Sequence, residues 1–168
     1  MTEVLNKTAP FNLIGATITQ LTQQVASLED KDFNKIPFEG SWNAGQLLRH
    51  VTKSIDGMAN LMLVPAAPVD RNPEQKIAEL RGIFLNYENK MEAPEFIVPE
   101  DEAYKKQQSI DELNQSFKRL NVNAEHANLN DLIEDLPFGA TTKLEILHFV
   151  LFHTQRHQHQ LQKICAAL

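Results

Sequence analysis

The chain has 168 residues and a formal charge of −6, with 42% hydrophobic and 23% charged residues. This length fits one domain, residues 1–168, that needs no disulfides to fold. The acidic balance and the lack of a basic run argue against nucleic acid as a partner. No segment is long and apolar enough to cross a membrane, no signal peptide is recognisable, and Cys165 is the single cysteine, so we expect a cytoplasmic protein.

Hydrophobic periodicity predicts helices almost throughout, without an alternating strand pattern. The first helix spans about residues 10–29, with an apolar face formed by Leu13, Ile14, Thr17, Ile18, Leu21, Val25 and Leu28. Ser41 is the predicted N-cap of a second helix over about residues 42–63. The predicted buried face of this second helix consists of Ala44, Leu47, Leu48, Val51, Ile55, Met58, Ala59 and Met62.

Capping signals place the later helices. Asn72, followed by Pro73 and Gln75, predicts the start of a helix of about 18 residues. Its helical register carries Ile77, Leu80, Phe84 and Tyr87. After an extended segment with two prolines, a capping box at residues 109–112 predicts the next helix, which carries Leu113, Phe117 and Leu120.

A third capping box, at Thr142 and Glu145, opens the last helix, which runs to the end of the chain. Four longer amphipathic helices and one shorter helical insertion predict an all-α fold, namely a four-helix bundle. The pattern does not fix an up-down-up-down order, and the connection after the second helix is long enough for a crossover.

A pair of histidines on the last helix is the first candidate site. His153 and His157 are four residues apart, so both imidazoles project from one face of the helix. This face also carries the apolar residues Ile146, Val150 and Ile164, which predicts that the pair is buried. Buried imidazoles need partners, and a metal ion would supply one to each. Spacing alone leaves an equal alternative: two partly exposed histidines bonded to water or a carboxylate.

His50, on the second helix, is the predicted third ligand. Its helical row is small or polar, which leaves room for an ion, and consists of Asn43, Gln46, Ser54 and Gly57. Three imidazoles with one open position suit Zn²⁺ or Ni²⁺ at a catalytic site. The alternative is a boundary histidine on a solvated face.

Other candidates have simpler interpretations. His148 and His159 lie outside this row and are interpreted as structural or surface residues, and His126 as a favourable cation near the C-terminus of a helix. Cys165 lies near an apolar row and is interpreted as a core residue, and Ser54 as a small residue lining the site. Arg156 and Gln160 adjoin the pair and either contact a substrate, steady a ligand or serve surface roles. The acidic run at residues 100–102 is interpreted as a solvated loop.

The chain resembles the DinB-like (DinB/YfiT-like) family of metal-binding four-helix bundles. The resemblance is carried by Ser-Trp-Asn-Ala-Gly-Gln at residues 41–46 leading to His50, and by the pair His153 and His157 followed by Gln160 and Leu161. It covers most of the chain and implies that the three histidines bind a divalent ion, usually zinc or nickel. The sequence departs from the pattern at residue 159, where a histidine replaces the glycine of many members.

The resemblance implies a metal-dependent enzyme that acts on a small molecule. The two reactions are thiol transfer, with a low-molecular-weight thiol as cofactor, and hydrolysis. Thiol transfer is favoured through the resemblance alone, and no acidic residue is placed as a general base for hydrolysis. The alternatives are a non-catalytic metal- or ligand-binding protein connected with stress, and a bundle whose histidines only pack. We expect no membrane partner, and the resemblance is compatible with a homodimer.

Overall fold

A computed structural model describes residues 8–168. The described chain contains six helices: α1 (Thr8–Ala26), α2 (Asp30–Phe33), α3 (Ala44–Leu63), α4 (Ile77–Phe84), α5 (Lys106–Glu125) and α6 (Lys143–Ala166). A 3-10 turn lies at Glu95–Ile97. Two short strands, β1 (Leu132–Ile133) and β2 (Thr141–Thr142), pair antiparallel, with Leu132 opposite Thr142. This small hairpin leads directly into α6.

The four long helices pack in the cyclic order α1, α5, α3, α6, so that α1 lies diagonal to α3, and α5 to α6. The connections from α1 to α3 and from α5 to α6 therefore cross the bundle. The shorter α4 packs against α6. The prediction of a four-helix bundle with one helical insertion is confirmed, and α4 is the insertion. Within residues 8–168, each helix is too short or too polar to span a membrane.

The apolar faces of the helices form the core as hydrophobic periodicity requires. Every residue predicted for the buried face of α3 is buried. The prediction for α1 is wrong at both ends of its list, because Leu13 is 52% exposed and Leu28 lies beyond the end of the helix. The other residues predicted for that face are buried: Ile14, Thr17, Ile18, Leu21 and Val25.

The start of α3 is set by Asn43, and the prediction of Ser41 as its N-cap is wrong. Asn43 Oδ1 accepts from the backbone N–H of Gln46 at 2.8 Å, and Gln46 Oε1 accepts from the backbone N–H of Asn43 at 3.0 Å. The Ser41 hydroxyl donates to the Trp42 carbonyl instead. Because this reciprocal pair satisfies two backbone donors, it fixes where α3 begins, two turns before His50.

Two other predicted helix starts are also wrong. Helix α4 has 8 residues rather than about 18. The segment before it forms turns, in which the N–H of Lys76 donates to Glu145 Oε1 at 2.8 Å, and the carbonyls of Phe84 and Asn86 at its other end bind Arg156. Helix α5 already begins at Lys106, so Ser109 lies inside it, and the Ser109 N–H donates to the Lys105 carbonyl. In both cases the polar residue follows the capping pattern, but the helix begins at another residue.

The capping box of α6 is confirmed, and its glutamate also binds the preceding loop. Thr142 and Glu145 exchange both capping hydrogen bonds. The Glu145 carboxylate, fully buried, also accepts two bonds from Arg71 at 2.7 and 2.8 Å. Glu145 thereby joins the start of α6 to the segment that leads into α4.

We expect Glu145→Gln to lower the free energy of unfolding by about 2–3 kcal/mol at pH 7, because it weakens a buried ion pair and a cap. Burial alone would raise the pKa of Glu145, but the bonds from Arg71, Thr142 and Lys76 outweigh it and lower that pKa below 4.5. The carboxylate therefore stabilises the fold above pH 4.5, and this contribution is lost as the pH falls through its folded pKa.

Urea titrations at several pH values measure this effect. The difference in free energy of unfolding between the parent and Glu145→Gln should stay constant from about pH 7 to 5 and become smaller at lower pH. Glu74→Gln, at an exposed position in the adjoining loop, should change stability little. A constant difference down to pH 3 would contradict the assigned role of the charge.

Candidate metal centre

Three histidines from two neighbouring helices meet inside the bundle. His50 comes from α3, and His153 and His157 come from α6. Their Nε2 atoms form a nearly equilateral triangle with sides of 3.0, 3.1 and 3.1 Å. The residues are only 2%, 7% and 7% exposed. The structure therefore joins the three predicted site residues into one buried cluster, which we call the histidine triad.

The outer nitrogens of two triad members are fixed by neutral oxygen acceptors. His50 Nδ1 lies 2.9 Å from the Ile97 carbonyl oxygen, and His157 Nδ1 lies 2.8 Å from Gln160 Oε1. Because an oxygen acceptor requires a donor, each Nδ1 carries the proton of its neutral imidazole. The Nε2 atoms of His50 and His157 then hold lone pairs that face each other.

This donor set fits a cation. Two lone pairs at 3.0 Å have no proton between them, and a single N–H on His153 cannot satisfy all three contacts of the triangle. Three nitrogen ligands at about 2.0–2.1 Å from one tetrahedral ion lie about 3.3–3.4 Å apart. The observed sides of 3.0–3.1 Å are within about 0.4 Å of that spacing, so the three nitrogens are close enough to share one ion.

Electrostatics keeps the triad neutral. Burial is the main cause that lowers the pKa of all three imidazoles, and it brings that of His157 to about 3. His157 and His50 lower the pKa of His153 further, and His50 lowers that of His157. Nearby cations act in the same direction, Lys53 on His50 and Arg156 on the other two. Neutral imidazole is the form that coordinates a metal. At pH 7 the lone pairs are therefore available for coordination.

Aromatic rings enclose the triad on two sides. The Trp42 ring lies 4.9 Å from that of His50 and stacks 6.4 Å from that of His157. On the other side, Phe149 and Phe84 lie 5.2 and 6.1 Å from the His153 ring. No carboxylate among residues 8–168 hydrogen-bonds to a triad imidazole. The surroundings are therefore largely aromatic, and among residues 8–168 no acidic residue supplies a fourth ligand.

The remaining candidates take other places. His126 is the C-cap of α5, His148 Nδ1 bonds to the Leu144 carbonyl, and the His159 ring stacks on Tyr87 at 4.0 Å. Burial raises the pKa of the Cys165 thiol, which packs against the core. Ser54 is buried on α3. None of these belongs to the triad.

Gln160 and Arg156 have different roles. Gln160 steadies a triad imidazole, which was one of its expected roles. Arg156 donates to the carbonyls of Phe84, Asn86 and Asn89 and so holds the segment after α4 against α6. Its guanidinium is thus committed to backbone oxygens.

Sequence reasoning missed the contacts that residues 97–100 make with α3 next to His50. The Ile97 carbonyl has no side-chain signature, and its contact with His50 spans 47 residues. Glu100 was interpreted as part of a solvated loop, but its carboxylate binds Arg49 and Lys53 on α3. The available sequence signal that this stretch is ordered was the pair of prolines, Pro94 and Pro99, in the segment between two helices.

Two clefts lie away from the triad. One of about 260 Å³ adjoins Arg49 and Tyr104, and one of about 350 Å³ adjoins Asn123 and Lys143. Neither is lined by a histidine of the triad. The donor atoms, rather than surface concavity, therefore identify the candidate site.

We expect His50 and His157 to be Nδ1–H tautomers in the metal-free protein, because both Nδ1 atoms face oxygen acceptors. Long-range ¹H–¹⁵N correlation spectra at pH 7 distinguish a protonated from an unprotonated ring nitrogen. His126, exposed at the end of α5, serves as the reference for a solvated imidazole. Protonated Nε2 atoms on both residues would contradict the lone-pair arrangement.

A family model described as the DinB superfamily matches residues 14–161. The chain belongs to the DinB superfamily. Among solved structures, the chain is similar to YfiT from Bacillus subtilis, described as a probable metal-dependent hydrolase with an unusual four-helix bundle topology. The TM-score is 0.65 at 13% identity, covering 99% of this chain and 89% of that one.

It is also similar to TT2238, described as a four-helix bundle protein, with a TM-score of 0.59 at 15% identity. That match covers 92% of this chain and 97% of TT2238. At these identities the two likenesses establish the fold of this DinB-superfamily chain. No curated protein matches it significantly.

Proposed function

We propose that this DinB-superfamily protein binds one divalent metal ion through His50, His153 and His157, and that the loaded site is a metal-dependent enzyme of thiol-transferase or hydrolase type. The observation that carries the proposal is the buried triangle of three Nε2 atoms. Zinc and nickel are the ions that suit an all-imidazole face. YfiT, described as a probable metal-dependent hydrolase, shares the fold.

Three groups of residues have separate roles at this site. The three Nε2 atoms hold the ion, while the Ile97 carbonyl and Gln160 fix the two imidazoles that they contact. Trp42, Phe84 and Phe149 keep the site apolar. When bound, the ion acts as a Lewis acid that makes water or a thiol a better nucleophile at neutral pH.

The surroundings bear on the choice between the two reactions. A hydrolase of this kind gains from a carboxylate general base, and within residues 8–168 no carboxylate contacts the triad. A thiol is its own nucleophile once deprotonated. The proposed reaction is therefore transfer of a low-molecular-weight thiol to a small electrophile. The second candidate function, metal or ligand binding without turnover, is favoured by the deep burial of the triad.

Metal content of untagged protein tests the proposal first. Elemental mass spectrometry should find about one equivalent of zinc or nickel in the parent, the stoichiometry of one three-imidazole site. His50→Ala and His153→Ala should lose most of it. His148→Ala is the matched control, because it removes an imidazole five residues before His153 on α6 that bonds to the Leu144 carbonyl and is not part of the triad. No bound metal, even after reconstitution at neutral pH, would overturn the proposal.

Turnover separates the enzyme from the binding protein. Metal-loaded parent and His50→Ala are compared for conjugation of a small thiol to 1-chloro-2,4-dinitrobenzene and for hydrolysis of p-nitrophenyl acetate. Activity that requires both the metal and His50 supports the enzyme. Full metal occupancy with no rate above that of His50→Ala supports the binding protein.

A further inference from the structure

Residues 94–100, which we call the strap, lie against α3 beside the triad. The 3-10 turn Glu95–Ile97 forms its first half, and the Ile97 carbonyl oxygen accepts from His50 Nδ1 at 2.9 Å. The next residue, Val98, accepts from Lys53 Nζ at 2.9 Å through its own carbonyl. The strap thus provides the acceptor that sets the tautomer of one triad imidazole.

Apolar burial holds the strap only in part. Pro99 is buried and Ile97 half-buried, but Phe96 is 69% exposed and Val98 is 41% exposed. Irregular backbone with exposed side chains opens at low free-energy cost unless polar anchors restrain it. The position of the Ile97 carbonyl therefore depends on the contacts that fix the strap to α3.

Glu100, at the end of the strap, makes the strongest of these contacts. Its Oε2 accepts from Arg49 Nε at 2.9 Å, and its Oε1 lies 2.6 Å from Lys53 Nζ and 3.3 Å from Arg49 Nη2. The Tyr104 hydroxyl donates to the Glu100 carbonyl at 2.8 Å. A two-pronged arginine contact within a network is the kind of exposed ion pair that restrains geometry.

The two cations that hold Glu100 stand on either side of a triad histidine. Arg49 precedes His50 by one residue, and Lys53 follows it by three. Hydrogen bonds from Arg49, then from Lys53, hold the pKa of Glu100 well below its usual range, so the carboxylate is charged at neutral pH. The Glu100 side chain therefore joins the strap to α3 through residues on both sides of His50.

We propose that Glu100 is a positioning residue of the metal centre, which anchors the strap so that the Ile97 carbonyl holds His50 in its metal-binding tautomer and orientation. The inference rests on the proposed metal site. Partners that orient a ligand imidazole typically change metal affinity by about 10–100-fold when they are lost. Here the partner of His50 is the Ile97 backbone carbonyl, which a substitution cannot remove. We therefore expect the effect on metal affinity when Glu100, which fixes that backbone, is changed.

Glu100→Gln tests the proposal because it keeps the size of the side chain and removes its charge. Zinc affinity, measured by competition with a chromophoric chelator, should fall about 10-fold or more. The visible spectrum of the Co²⁺-substituted protein should change, while the far-UV circular dichroism should not. Glu102→Gln is the matched control, since it removes the same charge from an exposed position two residues away. An affinity equal to that of Glu102→Gln would overturn the proposal.

In a second test, with Lys53→Met, the direction of the change in zinc affinity decides the outcome. Removing a nearby cation favours binding of a dication electrostatically. Removing both contacts of Lys53 to the strap should instead weaken binding if the strap positions His50. Weaker zinc binding by Lys53→Met supports the proposal, and tighter binding contradicts it.

The tautomer of His50 is a readout that needs no metal. In metal-free Glu100→Gln, ¹H–¹⁵N correlation spectra should show His50 shifting towards a mixture of tautomers, while His157 keeps its Nδ1–H form through Gln160. An unchanged His50 tautomer would overturn the role of Glu100, whether or not the parent binds metal. Failure of the parent to bind metal, with the tautomer shift present, would instead remove only the proposed function.

Discussion

Zinc added to the metal-free protein should raise its free energy of unfolding by about 4 kcal/mol when free zinc is 1,000-fold above Kd. For a chain of this size that corresponds to an increase in Tm of about 8–16 °C. The reason is that the complete ligand set exists only in the folded state. His50 and His153 are 103 residues apart in sequence, so the unfolded chain presents the α6 pair without its third member.

Calorimetry in the presence of EDTA and then of zinc measures this shift. His148→Ala should show the full increase, because its imidazole bonds to the Leu144 carbonyl and leaves the triad intact. His50→Ala should show little increase, since the pair on α6 also binds zinc in the unfolded state. An equal increase in His50→Ala would assign the stabilising ion to a different place.

Lys143→Met should destabilise the protein by about 3–5 kcal/mol, because it removes the partner of a buried charge and of two carbonyls. Lys143 is 3% exposed, and its Nζ donates to the carbonyls of Met62 at 3.0 Å and Val64 at 2.8 Å, at the end of α3. Asp131 Oδ2 lies 3.7 Å away. The methionine keeps the apolar length of the side chain, so the loss isolates the ammonium group.

Urea denaturation at pH 7 measures the effect of Lys143→Met. Lys163→Met is the matched control on the same helix, because Lys163 is exposed and should change stability by less than about 0.5 kcal/mol. Similar losses in both variants would show that helix charge, rather than the buried contacts, is responsible. The ends of α3 and α6 that meet at Lys143 also set the distance between the two ligand-bearing helices.

The helical fold was predictable because its signals are local. Apolar periodicity identified the buried face of α3, and the reciprocal capping pair at Thr142 and Glu145 identified the start of α6. The same kind of signal was wrong at Ser41 and Ser109. Several polar residues near a helix end satisfy the capping pattern equally well, and the contacts of the surrounding chain select among them.

The candidate site was predictable to the level of its residues, whereas the structure decided which ring nitrogens meet. The spacing of four residues places His153 and His157 on one face whatever the rest of the chain does, and the small, polar row around His50 marked the third position. That the three residues meet is a property of the packing of α3 against α6. Periodicity gives the face of a helix, but it does not say which helix lies opposite.

The sequence by itself determined the helices and the face that carries each histidine, because 3.6-residue periodicity and capping act within a few residues. Only the tertiary structure decided the cyclic order of the helices, the contact of the Ile97 carbonyl with His50 and the anchoring of the strap by Glu100. Those contacts join residues about 50 positions apart. Their formation depends on how the crossing connections close the bundle, for which a single sequence carries no periodic signal.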